Sequence, residues 1–170
     1  MRKYFLIASL FFIFPFLNSC GKKDVCEQVP TLHPTQEELD NLKTFVMGID
    51  SNAIFDPRGF YYSITKPGSA NKPGICSDIY ARYECSDGKD LVYYPASGGS
   101  EKMVFDLSFQ IYAWKYAFPM IGMDGEIIIY VPPTLREGYD PIKASFHNTG
   151  LQSVPADANV VYKLQLIKWN

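Results

Sequence analysis

Apolar positions along this chain change period several times, and each change marks an element. Tyr4 to Leu17 (YFLIASLFFIFPFL) is an almost unbroken apolar run behind the basic start Met1-Arg2-Lys3. That is the layout of a secretory signal, and the run is too short to span a bilayer comfortably as a permanent helix. From residue 20 to Pro34 (CGKKDVCEQVPTLHP) no apolar period is sustained, so the stretch reads as a linker, able at roughly 3.3 Å per residue to reach about 45 Å. Thr35-Gln36-Glu37-Glu38 then reads as a capping box, with Leu39, Leu42, Phe45 and Val46 on one helical face and Gly48 placed to end the helix.

Beyond Gly48 the pattern predicts strands. Gly59 to Thr65 is aromatic and β-branched and is closed by Lys66-Pro67-Gly68. Ser77 to Cys85 is a second strand, and Ser86-Asp87-Gly88 signals a hairpin into Lys89 to Tyr94. Pro95 to Lys102 is small and rich in Gly and Ser, hence a loop, and Met103 to Leu107 is a further apolar segment. At Ile111, Trp114, Phe118 and Ile121 the spacing becomes three, four, three, one buried helical face, and Pro119 keeps that helix short because it lacks an N–H. Met123-Asp124-Gly125 turns the chain into Glu126 to Val131, apolar enough for a central strand. Val160 to Trp169 alternates, with Val160, Tyr162, Leu164 and Leu166 facing the core.

Composition narrows the class. Of 170 residues, 15% are aromatic and 12 are proline, which favours a β-rich domain with ordered loops over disorder. Loss of residues 1 to 19 removes Arg2 and Lys3, leaving 14 basic residues against 18 acidic ones, and nothing here suggests a nucleic-acid partner. Leu17-Asn18-Ser19-Cys20 resembles a lipobox, an aliphatic residue and two small or polar ones before the cysteine that takes the lipid. More than one acyl chain on Cys20, at roughly 0.8 kcal/mol per buried CH₂, makes a durable anchor. Gly21 leaves no acidic residue directly after the cysteine, so by resemblance to other lipoproteins the destination is the outer membrane, on its periplasmic or surface face.

Cys26, Cys76 and Cys85 leave an odd number beyond Cys20. Cys76 and Cys85 on one extended strand would stand about 30 Å apart and could not pair. A bridge would use Cys26, and buried thiols without a bridge are an equal alternative. The spacing offers no zinc site, because there is no C-x-x-C and His33 and His147 are isolated. Neither histidine stands in a nucleophile arrangement, Asp87 and Asp90 read as turn formers, and no phosphate-binding glycine motif is present.

Trp114, an apolar run ending at Gly125, the strand Ile127-Ile128-Ile129-Tyr130-Val131-Pro132-Pro133, a loop, and then VPADANVVYKLQLIKW follow one another. This order resembles the FKBP-type peptidyl-prolyl cis-trans isomerases in their bacterial lipoprotein form. In that family a tryptophan helix leads to a glycine turn, a strand ending at proline, a flap loop and a final strand of the pattern Ile-Pro-x-x-x-x-Leu-x-Phe-x-Val-x-Leu. Val154-Pro155 through Val160, Tyr162, Leu164 and Leu166 match it position by position. Upstream, Gly59-Phe60-Tyr61-Tyr62 and Lys66-Pro67-Gly68 resemble the first strand and turn of exported members, so the likeness covers about residues 35 to 170.

The resemblance implies an α+β fold, an antiparallel sheet wrapped around one short helix with an additional N-terminal helix. It divides the chain into a signal peptide (1–19), a lipidated tether (20–34), the N-terminal helix and connection (35–58) and the FKBP-like domain (59–170). It makes Trp114 the floor of a proline pocket, Ile111 the residue whose backbone N–H meets the substrate carbonyl, and Tyr80 and Tyr162 aromatic walls. Leu91, Met103 or Phe105, Gln110 (where the family usually has valine) and the flap residue Val154 would complete the substrate contacts. Three departures stand out. Leu91-Val92 replaces the family's Phe-Asp, so the pocket aspartate is missing unless Asp90 substitutes; Glu137-Gly138 replaces Tyr-Gly; and Gly138 to Val154 is a longer flap, holding Tyr139, Phe146 and His147.

Rotation about an X–Pro bond requires no nucleophile, cofactor or metal. The implied function is therefore isomerisation of proline-containing unfolded or extended polypeptides outside the cytoplasm. A catalytically weak or inactive FKBP-like lipoprotein that grips a peptide or partner is the alternative. By spacing alone, without the resemblance, Trp114, Ile111, Tyr80 and Tyr162 read simply as core.

Overall fold

A computed structural model describes residues 31–94, 103–138 and 153–170. The expected signal peptide, Cys20, Cys26, the Gly/Ser-rich loop and the flap residues Tyr139, Phe146 and His147 lie outside them. Helix α1 (Gln36–Met47) starts as its capping box requires, with the Thr35 hydroxyl accepting from the Glu38 N–H and the Glu38 carboxylate accepting from the Thr35 N–H. It ends at Gly48, whose N–H donates to the Phe45 and Val46 carbonyls. Gly48 has φ −78°, so the turn does not need the conformational freedom of glycine.

Seven strands follow among the described residues: β1 (Ile54–Asp56), β2 (Phe60–Lys66), β3 (Asp78–Ser86), β4 (Val92–Tyr94), β5 (Met103–Asp106), β6 (Glu126–Val131) and β7 (Val160–Trp169). They form one antiparallel sheet in the order β1-β2-β6-β7-β3-β4, with β5 also on β3. The expected strands are all present, within a residue or two at most ends; β4 starts three residues later than its pattern implied. The short β1, which pairs Ile54 with Tyr62, falls in what the sequence reads as connection.

The two faces of the sheet bury different things. Ile79, Ala81, Tyr83 and Cys85 of β3, Ile127 and Ile129 of β6, and Tyr162, Leu164 and Leu166 of β7 pack inward around helix α2 (Tyr112–Ala117) and the 3₁₀ turn Phe118–Met120. Pro119 sits in that turn and stops the α-helix after six residues. On the outer face Tyr130 and Val161 receive Leu42 and Val46 of α1. The fold is thus α+β, a sheet with one short helix inside and one longer helix behind.

Polar hooks fix α1 to the sheet at both ends. Glu38 also accepts from the Thr134 N–H (3.0 Å) and hydroxyl (2.9 Å) just past β6, and Asp50 accepts from the Ser63 hydroxyl (2.6 Å) and the Tyr130 hydroxyl (3.1 Å). The domain's contacts begin before α1, inside the expected tether, because Leu32 packs against the main core. Cys76 is disulfide-bonded, and Cys85 is buried on β3. Of the two readings left open by the cysteine count, the bridged one holds for Cys76.

Partial burial pushes the Glu38 pKa up, but the donors from Thr35 and Thr134 more than offset this and hold it below its ordinary value near 4.5. A carboxyl lowered by folding stabilises the native state above its ordinary pKa, and that stabilisation is lost as pH falls through the lowered value. Glu38→Gln is therefore expected to melt earlier than the parent at neutral pH and to show a shallower loss of Tm on acidification below about pH 4.5; thermal melts across that range check it.

Candidate aromatic site

Trp114 comes from the first turns of α2 and is fully buried. Four rings surround its indole: Tyr83 from β3 at 4.7 Å between centroids, Phe105 from β5 at 5.4 Å, Tyr162 from β7 at 5.6 Å and Phe118 at 6.0 Å. Tyr162 and Phe118 meet it edge-on, at 85° and 87°, the arrangement ring quadrupoles favour. Tyr94 extends the cage by stacking on Tyr83 at 4.9 Å. The indole Nε1 is buried with no hydrogen-bond partner among the described residues.

Ile111 is the N-cap of α2 and is completely buried. Its carbonyl accepts from Trp114 and Lys115, whereas its own N–H bonds to no described residue. The helix start is pinned from outside, since the Tyr112 N–H donates to the Glu137 carbonyl at 3.2 Å. Gly138 follows with φ +116°, and a Cβ there would lie 2.8 Å from the Gln110 oxygen. The approach is thus open only to glycine.

Trp114, Ile111, Tyr162 and Phe105, grouped by the family resemblance, lie together in the main core, and Leu91, Met103 and Val154 are half-buried against it. Phe105, not Met103, is the aromatic wall. Gln110 is 2% exposed; its Nε2 donates to the Asp106 carbonyl at 3.1 Å and its Oε1 is buried without a partner among the described residues.

Tyr80 does not join this site. It points to the other face of β3, where the Lys168 ammonium lies 4.1 Å from its ring centroid. Tyr83 stands against Trp114 instead. The sequence held the signal, since Arg82 and Glu84 share the parity of Tyr80 and mark the wet side of β3, while Ile79, Ala81 and Cys85 share that of Tyr83. Asp90 is exposed and does not stand in for the pocket aspartate, and Val92 is 39% exposed. Asp87 is occupied in the hairpin, accepting from the Lys89 and Leu91 N–H groups. Glu137 is exposed.

A sheet enclosing a short tryptophan helix whose N-cap abuts the segment after β6 defines the FKBP fold, the fold of peptidyl-prolyl isomerases. Solved structures bear this out. The peptidyl-prolyl cis-trans isomerase of Pseudomonas syringae pv. tomato superposes with a TM-score of 0.58 at 20% identity, covering 83% of this chain and 99% of that one. FkpA from Escherichia coli gives 0.57 at 19%, covering 79% of this chain but 58% of FkpA, so the chain spans little more than half of that protein. The N-terminal domain of FKBP42 from Arabidopsis thaliana gives 0.55 at 17%, covering 83% and 99%. No family model and no curated protein matches the sequence.

The two tyrosines of β3 make the site assignment testable by stability. Tyr83→Ala empties a place in the buried cage and is expected to cost about 3–5 kcal/mol. Tyr80→Ala removes a surface cation–π contact and is expected to cost about 1 kcal/mol or less. Urea unfolding of both variants reads the difference directly.

Proposed function

We propose that the chain is a peptidyl-prolyl cis-trans isomerase that acts on unfolded or extended proline-containing polypeptides outside the cytoplasm, held to the outer membrane by lipid on Cys20. The observation that carries the isomerase reading is the cage of Tyr83, Phe105 and Tyr162 around Trp114, beside the N-cap amide of Ile111, in an FKBP fold. The lipobox-like Leu17-Asn18-Ser19-Cys20 supports the anchor.

The chemistry asks little of the side chains. An amide must give up its resonance to rotate, which sets a barrier of about 18–20 kcal/mol for a peptide bond. The twisted amide is less dipolar than the planar one, so a dry aromatic surface disfavours the ground state relative to the transition state. A donor at the Ile111 N–H would hold a substrate carbonyl and the aromatic cage would hold the prolyl ring while the residue before the proline turns. Each 1.36 kcal/mol gained in this way is about tenfold in rate.

A second reading, a peptide-binding module with little turnover, has a specific observation behind it. Leu91-Val92 and Glu137 put no acid and no phenol where the family carries Asp and Tyr, and Asp90 is exposed. Those polar groups orient substrate in the family, and their loss favours grip over turnover.

Isomerisation of a short X–Pro peptide by the purified protein separates the two. The enzyme reading expects acceleration over buffer and a loss of about tenfold or more in kcat/KM for Trp114→Phe, which keeps most of the packing while removing the indole. Saturable peptide binding with no acceleration by folded protein leaves the binding module. Lipidation is checked separately, since Cys20→Ser should release the chain from the membrane fraction.

A further inference from the structure

Resting on the isomerase reading, we infer that Arg136 is a positioning residue, fixing Val154 against the core from which the proline cage is built. Arg136 ends the 3₁₀ turn Pro133–Arg136 and is 6% exposed, rare burial for a guanidinium. Its Nη2 donates to two successive carbonyls on the far side of the flap, Pro155 at 2.9 Å and Ala156 at 2.7 Å, nineteen and twenty residues along the chain. The ion pairs among the described residues are Arg58–Asp56 and Lys163–Glu84, so no described carboxylate neutralises Arg136. Its Nε is buried without a partner among the described residues. A buried cation spent on backbone carbonyls alone is a costly way to hold a loop, and it is specific in geometry.

The same turn is fastened on two other sides. The Glu38 carboxylate of the α1 cap accepts from the Thr134 N–H and hydroxyl, and the Glu137 carbonyl accepts from the Tyr112 N–H at the start of α2. Five residues, Pro133 to Glu137, thereby connect α1, the N-terminus of the tryptophan helix and the returning chain at Pro155-Ala156. Val154, directly before those carbonyls, lines a cavity of about 350 Å³ together with Arg136, Thr134 and Glu137 and also packs against the core. Arg136 sets where Val154 stands relative to Ile111 because both are tied to the one turn.

The test compares Arg136→Met, which keeps an apolar stem and loses the donors, with Arg136→Lys, which keeps an ammonium able to reach the carbonyls. Three quantities are read: kcat and KM on an X–Pro peptide, Tm, and hydrogen exchange of the Ala158 amide, which donates to the Pro155 oxygen. The inference expects KM to rise about tenfold in Arg136→Met with kcat changed far less, faster exchange at Ala158, and recovery of most of the KM in Arg136→Lys. If Arg136→Met does not fold, Arg136→Gln takes its place with the same expectation. A folded variant with a lowered Tm but with KM and Ala158 exchange unchanged assigns Arg136 to stability alone and overturns the inference. A parent protein that neither turns over nor binds the peptide overturns the isomerase reading itself, an outcome distinct from a variant indistinguishable from an active parent.

Discussion

The burial of Trp114 is the contact on which the rest of this structure depends. A six-residue helix is far too short to hold together on its own hydrogen bonds, so α2 exists because the sheet closes around its indole. Tyr83, Phe105 and Tyr162 come from three different strands to do so, and Phe118 covers the fourth side from the turn that Pro119 enforces. The register of β3 on β7 and β5 is tied to this packing, because a slip of one residue would turn Tyr83 outward and bring Arg82 or Glu84 against the indole.

Around that centre the polar interactions work as connectors. Asp50 and Glu38 fasten the two ends of α1 to β2, β6 and the turn after β6. Arg136 carries the connection on to the residues that precede β7. The Asp56 carboxylate grips Arg58 through Nε at 2.8 Å and Nη2 at 2.7 Å, and the guanidinium lies over Phe60 and Tyr116, 5.5 and 4.8 Å from their ring centroids. The β1–β2 bend is thereby joined to the helix inside the sheet. An aromatic cage built on the sheet and α2 inherits rigidity from these connections.

The cage around Trp114 is built mainly from aromatic rings. With Leu91-Val92 in place of Phe-Asp, its polar groups among the described residues include the Trp114 N–H, the Gln110 oxygen, the Ile111 N–H and the hydroxyls of Tyr83 and Tyr162. On the proposed isomerase reading a surface of this kind suits a process with no proton transfer, while an acid at Leu91-Val92, which would add control over substrate orientation, is missing. That balance is the physical content of the choice between turnover and grip.

Periodicity alone determined most of the scaffold. The capping box of α1, the limits of β6 and β7, the inward face of β7 and the short helix stopped at Pro119 could all be read because each follows from local rules of spacing, capping and missing donors. The likeness to FKBPs then supplied Trp114, Ile111 and Tyr162. Tyr83 was legible too, in the parity of Arg82 and Glu84, but the family pattern drew attention to Tyr80. Strand β1 was not legible, since three residues carry too little pattern, and neither was the burial of Leu32; the cysteine count left a bridge open without deciding it. The contacts of Arg136 belonged wholly to the tertiary structure. A guanidinium next to a glycine turn reads as a surface charge in sequence, and only the return of the chain nineteen residues later puts two carbonyls within its reach.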